Sequence, residues 1–193
     1  IFNMLILGIE GNIGVAAYGV IANLALVFSA VYTGIAQGVQ PLLSNGYGKN
    51  DVAQIKTMYR YAFITVCLMS AVIYGICFVL ADPITAIFNS EHNEVLQNIA
   101  VAGMKLYFTA VPFIGFNIVT AIFFTAIEKA MPAQSISLLR GMILVVPVAY
   151  LLAAVGGMTG IWLTVPVTEG IVTVFGMILI IKWWKNSKLY EGI

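Results

Sequence analysis

The sequence predicts an all-α integral membrane protein, a polytopic helix bundle. The chain is 61% hydrophobic and 9% charged, with a mean hydropathy of +1.00, so it has too few polar residues to cover a soluble globule. Its apolar residues form stretches of about 20, the length that crosses a bilayer. These stretches are apolar on all faces, whereas the strands of a membrane barrel alternate apolar and polar residues. Helices are therefore the predicted spanning element.

Turn-forming residues divide the chain into one transmembrane domain, 1–193, with a short stub and five full spans. Gly, Pro, Asn and Asp cluster at nearly every boundary, as turns require. The sequence begins at Ile1, already inside an apolar run, so we expect a fragment whose upstream part is missing. The predicted elements are a stub at 1–9, spans at about 15–41, 59–81, 106–127, 136–155 and 161–181, and a tail at 182–193.

The basic residues predict the orientation, because Lys and Arg in short loops are retained in the cytoplasm. With alternating spans, eight of the nine basic residues fall on one side, and only Lys105 lies on the other. A cytoplasmic C-terminus follows as an expectation. The net charge of +1 gives no reason to expect a nucleic-acid partner. The residues counted on the cytoplasmic side are Lys49, Lys56, Arg60, Lys129, Arg140, Lys182, Lys185 and Lys188.

Glu169 is the first candidate functional residue. It lies about 12 Å inside the last span by helical rise, where an unpaired charge costs at least ~2.5 kcal/mol. We expect it to face a partner or a water-filled cavity, or to stay protonated. One reading makes it a proton or cation site, and the other a neutral acid bonded to a neighbouring helix. The residues that share its face, the predicted cavity wall, are Trp162, Pro166, Thr173 and Gly176.

A second stripe of candidates lies in the span 106–127. Aromatic rings beside amides suit apolar cations, because ring faces attract positive charge. The alternative is helix packing, the commoner use of Asn and Thr in membranes. The stripe consists of Thr109, Phe113, Asn117, Thr120 and Phe124.

Glycines and prolines predict close packing and kinks. Gly34 and Gly38 have the four-residue spacing that permits close helix contact. A proline within a helix removes a backbone hydrogen bond and favours a kink. The predicted kinks are at Pro41, Pro112, Pro147 and Pro166.

The sequence contains no motif of an enzyme. It has no Ser/His/Asp set, no phosphate-cradling Gly-Lys-Ser/Thr loop, no HExxH and no Cys/His metal spacing. We therefore expect no enzymatic activity, no cofactor and no metal site in this chain. An ion gradient is then the expected source of energy.

Three stretches resemble the multidrug and toxic compound extrusion (MATE) family. In 14–51 a Gly-x-x-x-Gly-x-Gln-Pro helix end, Gly34 to Pro41, leads into Asn45-Gly46-Tyr47-Gly48. FFTAIEKAMPAQSISLLRG, residues 123–141, is similar to the junction between the fourth and fifth helices of that family's second lobe. GIWLTVPVTEG, residues 160–170, is similar to the start of its last helix. The resemblance is to the bacterial branches related to the DinF and MepA exporters, which implies a location in the bacterial plasma membrane.

The resemblance implies the second six-helix lobe of a twelve-helix transporter, with helix seven truncated. It implies a secondary antiporter that exports organic cations in exchange for Na⁺ or H⁺ by alternating access. Its partners would be the cationic substrate, membrane lipid and the missing N-terminal lobe. Some members carry an acid in the second lobe's fourth helix, where this chain has Gly115 and Asn117. Coupling therefore rests on Glu169 or on a carboxylate of the first lobe.

Two other functions compete with this one. A lipid-linked oligosaccharide flippase of the same superfamily would need basic groups to meet phosphate, for which only Lys105 and Arg140 are placed. A non-transporting membrane subunit would not need the intramembrane Glu169.

Overall fold

The computed structural model describes residues 1–187, so Lys188 and the rest of the predicted tail lie outside the described residues. Four helical segments in this part are long and apolar enough to cross a membrane. The polytopic helix bundle is thereby confirmed. The α-helices are α1 Phe2–Gly48, α2 Val52–Val79, α3 Ala81–Phe88, α4 Glu94–Tyr107, α5 Val111–Ala126, α6 Ala130–Leu138 and α7 Val145–Ser187.

Glycines, rather than prolines, interrupt the two longest helices. In α1 the only non-helical backbone angles are at Gly11 (φ 63°), just after the predicted stub. In α7 they are at Gly157 (φ 54°), between the last two predicted spans. Positive φ is accessible to glycine without the steric penalty of a Cβ. The helical backbone continues through Pro41 and Pro166, so the breaks lie at other positions than those two predicted kinks.

Pro112 and Pro147 coincide with changes of helix type. A 3₁₀ turn, Phe108–Ala110, precedes Pro112 in α5, and a π turn, Leu139–Ile143, precedes Pro147 in α7. Proline has no N–H to donate to the carbonyl four residues earlier. The carbonyl left without this donor is that of Phe108 for Pro112 and that of Ile143 for Pro147. The π turn is closed by the Leu144 N–H, which donates to the Leu139 carbonyl at 3.0 Å.

The third full span begins earlier than the predicted residue 106. The Asn93 side chain accepts from the N–H groups of Val95 and Leu96, at 2.9 and 3.1 Å, and so caps α4. Such a cap satisfies backbone donors that the first helical turn leaves free. The polar residues after Asn93 therefore form the first turns of a helix rather than a loop.

The bundle packs around α1, which contacts α2, α4, α5 and α7. Hydroxyl pairs join the helices inside the bundle: Tyr32 with Ser70 at 2.8 Å and Tyr59 with Thr120 at 3.0 Å. At the end where α7 finishes, the rings of Tyr59 and Trp183 both pack edge-on against Phe123. Such aromatic rings suit the membrane interface.

Within residues 1–187, Gly34 and Gly38 make none of the close helix contacts that their spacing predicts. A Cβ placed on either glycine meets nothing within 4 Å, because this face of α1 points away from the bundle. Two other glycines make the close contacts. A Cβ on Gly103 would lie 2.5 Å from the Trp162 ring, and one on Gly115 would lie 2.5 Å from Val66 Cγ1.

We expect Gly115→Ala to lower stability and Gly38→Ala to leave it nearly unchanged. At residue 115 the added methyl also meets the ring of fully buried Tyr32 at 2.8 Å. Overpacking of this kind costs about 1–3 kcal/mol. Melting of both variants in detergent, followed by size-exclusion chromatography, checks the difference. Equal melting temperatures would contradict the packing described for α5 against α1 and α2.

Candidate functional site

An ion pair joins the buried Glu169 to the half-buried Arg140. The carboxylate lies in α7 with its side chain 8% exposed, and that of Arg140 is 22% exposed. Arg140 donates from both Nε and Nη2 to Glu169 Oε1, at 3.0 and 2.7 Å. Glu169 therefore has a charged partner within the bundle, which is one of the outcomes that its depth predicts.

Asn117 of α5 binds the other side of the same carboxylate. Its Nδ2 donates to Glu169 Oε2 at 2.7 Å and to the Glu169 carbonyl at 3.0 Å. Its Oδ1 accepts from the Thr173 hydroxyl at 3.3 Å. Both carboxylate oxygens are thus occupied by protein donors. We call these four residues, Arg140, Glu169, Asn117 and Thr173, the Glu169 cluster.

The π turn carries Arg140 to this position. Arg140 is its second residue, in the long helical segment Ala130–Ser187. A π turn inserts one extra residue per turn and so changes the direction of the side chains that follow, often at functional sites. Counting Arg140 as a cytoplasmic loop charge was wrong, because its guanidinium lies inside the bundle on Glu169.

A cavity of about 180 Å³ adjoins the cluster. The hydroxyl of Thr168 on its wall is buried and has no hydrogen-bond partner among residues 1–187. At about 30 Å³ per water, the cavity has room for several water molecules. Water in it would lower the cost of burying the two charges of the ion pair. The cavity is lined by Ala25, Ser29, Tyr107, Ile114, Arg140, Val145, Val165, Thr168 and Glu169.

The structure brings three of the predicted site residues together and leaves two apart. Glu169, Asn117 and Thr173 share one hydrogen-bond network. Thr109 instead donates to the Leu106 carbonyl at 2.6 Å. Phe113 is an exposed residue of α5, and no hydrogen bond joins either of these two to the cluster.

The face of α7 that carries Glu169 is mostly a packed helix contact rather than the predicted cavity wall. Trp162, Glu169 and Thr173 are buried on it, and a Cβ on Gly176 would lie 3.1 Å from the Phe116 ring of α5. Only the part beside Glu169 borders the small cavity. Asn117 hydrogen-bonds across the α5–α7 contact, as the helix-packing alternative for a membrane Asn expects.

Arg140 is the site residue that sequence reasoning missed. The signal was present, because residue 140 falls inside the predicted span 136–155. An arginine at that depth needs a partner, and Glu169 is the one acid in the next span. No group of three or more His, Cys, Asp or Glu residues suited to a metal ion occurs within residues 1–187.

A comparison with protein families assigns the chain. The family model MatE matches residues 1–151. The chain belongs to the MatE family. This match confirms the family resemblance. Members of the family are transporters and not enzymes, which confirms the non-enzymatic class.

MatE relatives include multidrug export proteins. The multidrug export protein MepA of Staphylococcus saprophyticus is 22% identical over 180 residues, which cover 93% of this chain and 39% of that protein. MepA of Staphylococcus haemolyticus is 20% identical over 176 residues, with 91% and 38% covered. The chain thus spans well under half the length of these relatives.

Solved MatE structures share the fold. An inward-facing multidrug resistance MATE family transporter of the MOP superfamily matches with a TM-score of 0.90 at 16% identity, over 97% of this chain and 43% of that one. The Vibrio cholerae MATE transporter VcmN in its bent form matches with a TM-score of 0.86 at 19% identity, over 97% and 42%.

Proposed function

We propose that this chain is the second six-helix lobe of a secondary antiporter that exports organic cations in exchange for Na⁺ or H⁺. The MatE match over residues 1–151 carries the proposal. The multidrug export relatives support the substrate class. The first lobe of the same polypeptide would supply the remaining spans, and alternating access between the two lobes would move the substrate.

The two candidate phosphate-binding cations are already engaged, which supports the antiporter over the lipid-linked oligosaccharide flippase. Arg140 is paired with Glu169 at 2.7 Å. Lys105 Nζ lies 5.2 Å from the centre of the Phe78 ring. A cavity that receives a phosphate needs basic groups that are available to it, whereas a cation exporter needs none.

Coupling is proposed to rest on a carboxylate outside this chain. A coupling ion must reach carboxylate oxygens, and both oxygens of Glu169 are held by Arg140 and Asn117. Arginine stays protonated at all physiological pH values, so the Arg140 guanidinium occupies the position beside Glu169 where Na⁺ or H⁺ would bind. Of the two open readings, the first-lobe carboxylate is therefore the one we adopt.

The orientation is proposed as multi-pass in the bacterial inner membrane with a cytoplasmic C-terminus. Removing Arg140 from the loop charges leaves Lys49, Lys56, Arg60 and Lys129 at the end of the bundle where α7 finishes with Lys182 and Lys185. The excess of Lys and Arg at this end of the bundle, which predicts a cytoplasmic location for its loops, therefore remains without Arg140.

We expect cells that express the full-length gene to export ethidium. We expect this export to stop when either the sodium gradient or the proton gradient, whichever drives it, is collapsed. Sodium and proton gradients are removed separately, and retained ethidium is followed by fluorescence. Residues 1–193 expressed alone serve as the control, with no export expected because the substrate path needs both lobes. Export by the control, or export unaffected by either gradient, would contradict the proposal.

A further inference from the structure

A second and larger cavity, of about 980 Å³, opens at the end of the bundle opposite α3. It lies where α1 ends, α2 and α6 begin and α7 finishes, and none of its wall residues belongs to the Glu169 cluster. Its volume is at the upper end of the usual range for ligand pockets. We call it the Lys49–Lys129 cavity. Its walls are Tyr47, Lys49, Asn50, Asp51, Val52, Ala53, Ile55, Lys129, Trp183, Asn186 and Ser187.

Two ammonium groups dominate its charge. Lys49 follows α1 and Lys129 precedes α6, so the two lysines approach the cavity from separate loops. Neither forms a salt bridge among residues 1–187. The one carboxylate that residues 1–187 place on the wall, Asp51, caps α2 by accepting the Gln54 N–H at 2.8 Å. The cavity therefore keeps an excess of positive charge and hydrogen-bond donors.

The position of the cavity indicates which class of anion it would bind. The Trp183 ring lines it and packs against the buried Phe123, and tryptophan at a span end marks the headgroup level of a membrane. Basic pockets between spanning helices at that level bind anionic headgroups. Lysine binds phosphate as a point charge, and Asn186 and Asn50 add amide donors to the wall.

We propose that the Lys49–Lys129 cavity binds the phosphate-bearing headgroup of an anionic phospholipid from the adjoining leaflet. The two ammonium groups contact the phosphate, and Trp183 borders the glycerol and the first part of the acyl chains. Lipid binding at this cavity does not depend on what the transporter exports.

The test compares lipid binding to two double variants of the full-length protein. Lys49→Gln with Lys129→Gln removes both charges from the cavity. Lys182→Gln with Lys185→Gln removes the same charge from the exposed end of α7, outside the cavity wall. Native mass spectrometry in neutral detergent counts bound phosphatidylglycerol, with phosphatidylcholine as the neutral lipid and inorganic phosphate as the free anion.

We expect the cavity variant to bind phosphatidylglycerol about 25-fold more weakly, since each lysine near a lipid phosphate contributes about fivefold. The α7 variant should stay close to the wild type. Equal losses in the two variants, or no loss in either, would overturn the site. Inorganic phosphate that displaces the lipid at equal concentration would overturn the assignment to a lipid.

Discussion

Arg140→Met is expected to leave little folded protein in detergent. The substitution keeps an unbranched side chain in place of the arginine stem but leaves the Glu169 carboxylate, which is 8% exposed, without its charged partner. Breaking one partner of a buried pair costs about 3–5 kcal/mol, because the remaining charge stays desolvated. Glu169→Gln strands Arg140 in the same way, although the 22% exposure of the Arg140 side chain softens that loss. Thermal melting followed by size-exclusion chromatography measures both.

The double variant, Arg140→Met with Glu169→Gln, should recover much of this loss. It removes both charges together, and the glutamine can still accept from Asn117 Nδ2, which lies 2.7 Å from Glu169 Oε2. Paired residues of this kind are non-additive in double-mutant cycles. If the two single losses simply add in the double variant, the ion pair described here does not hold the spans together.

The same double variant distinguishes a structural role of the Arg140–Glu169 pair from a role of Glu169 in ion coupling. If the coupling carboxylate lies outside this chain, folded double variant should export ethidium with the gradient dependence of the wild type. Folded double variant that has lost gradient-dependent export would place coupling at Glu169 after all.

The second large effect is expected at Gly160, where Gly160→Ala should prevent normal folding of α7. The break at Gly157 brings residue 160 against the backbone of Leu152, and a Cβ at 160 would overlap the Leu152 carbonyl. In a straight helix those residues are about 12 Å apart along the axis. Backbone cannot rotate away as a side chain does, so the break itself must open. We expect a larger loss than from Gly115→Ala.

Gly156→Ala is the matched control for this prediction. It lies one residue before the break, and a Cβ there meets nothing within 4 Å. We expect the yield of monodisperse protein to fall for Gly160→Ala and to remain near the wild type for Gly156→Ala. Similar yields for the two would mean that α7 does not bend at Gly157 as described.

Composition and turn chemistry were sufficient to predict the fold class. Apolar runs near bilayer length can be satisfied only by helices or closed barrels, and the lack of alternation excludes the barrel. The exact ends were harder to predict. The Asn93 cap extends α4 into a polar stretch, and polarity alone does not separate a loop from the first turns of a helix.

Part of the candidate site could also be predicted from the sequence. Glu169 and Thr173 are four residues apart, so they share a helix face, and Asn117 meets them across the α5–α7 contact. The depth of Arg140 in the predicted span 136–155 signalled that it needs a partner, but the π turn that sets its direction has no sequence period. The close contacts predicted for Gly34 and Gly38 are absent within residues 1–187 for a related reason. Spacing identifies a smooth face of a helix but not what lies opposite it.

Transport by purified full-length protein in proteoliposomes tests the central claim most directly. Vesicles are loaded with ethidium or another organic cation and given an imposed sodium gradient, an imposed proton gradient or neither. We predict export that exceeds the passive leak under one gradient only, and its loss when that gradient is dissipated. Export equal to the leak under every gradient, from correctly folded protein, would contradict the antiporter and favour the lipid-linked oligosaccharide flippase.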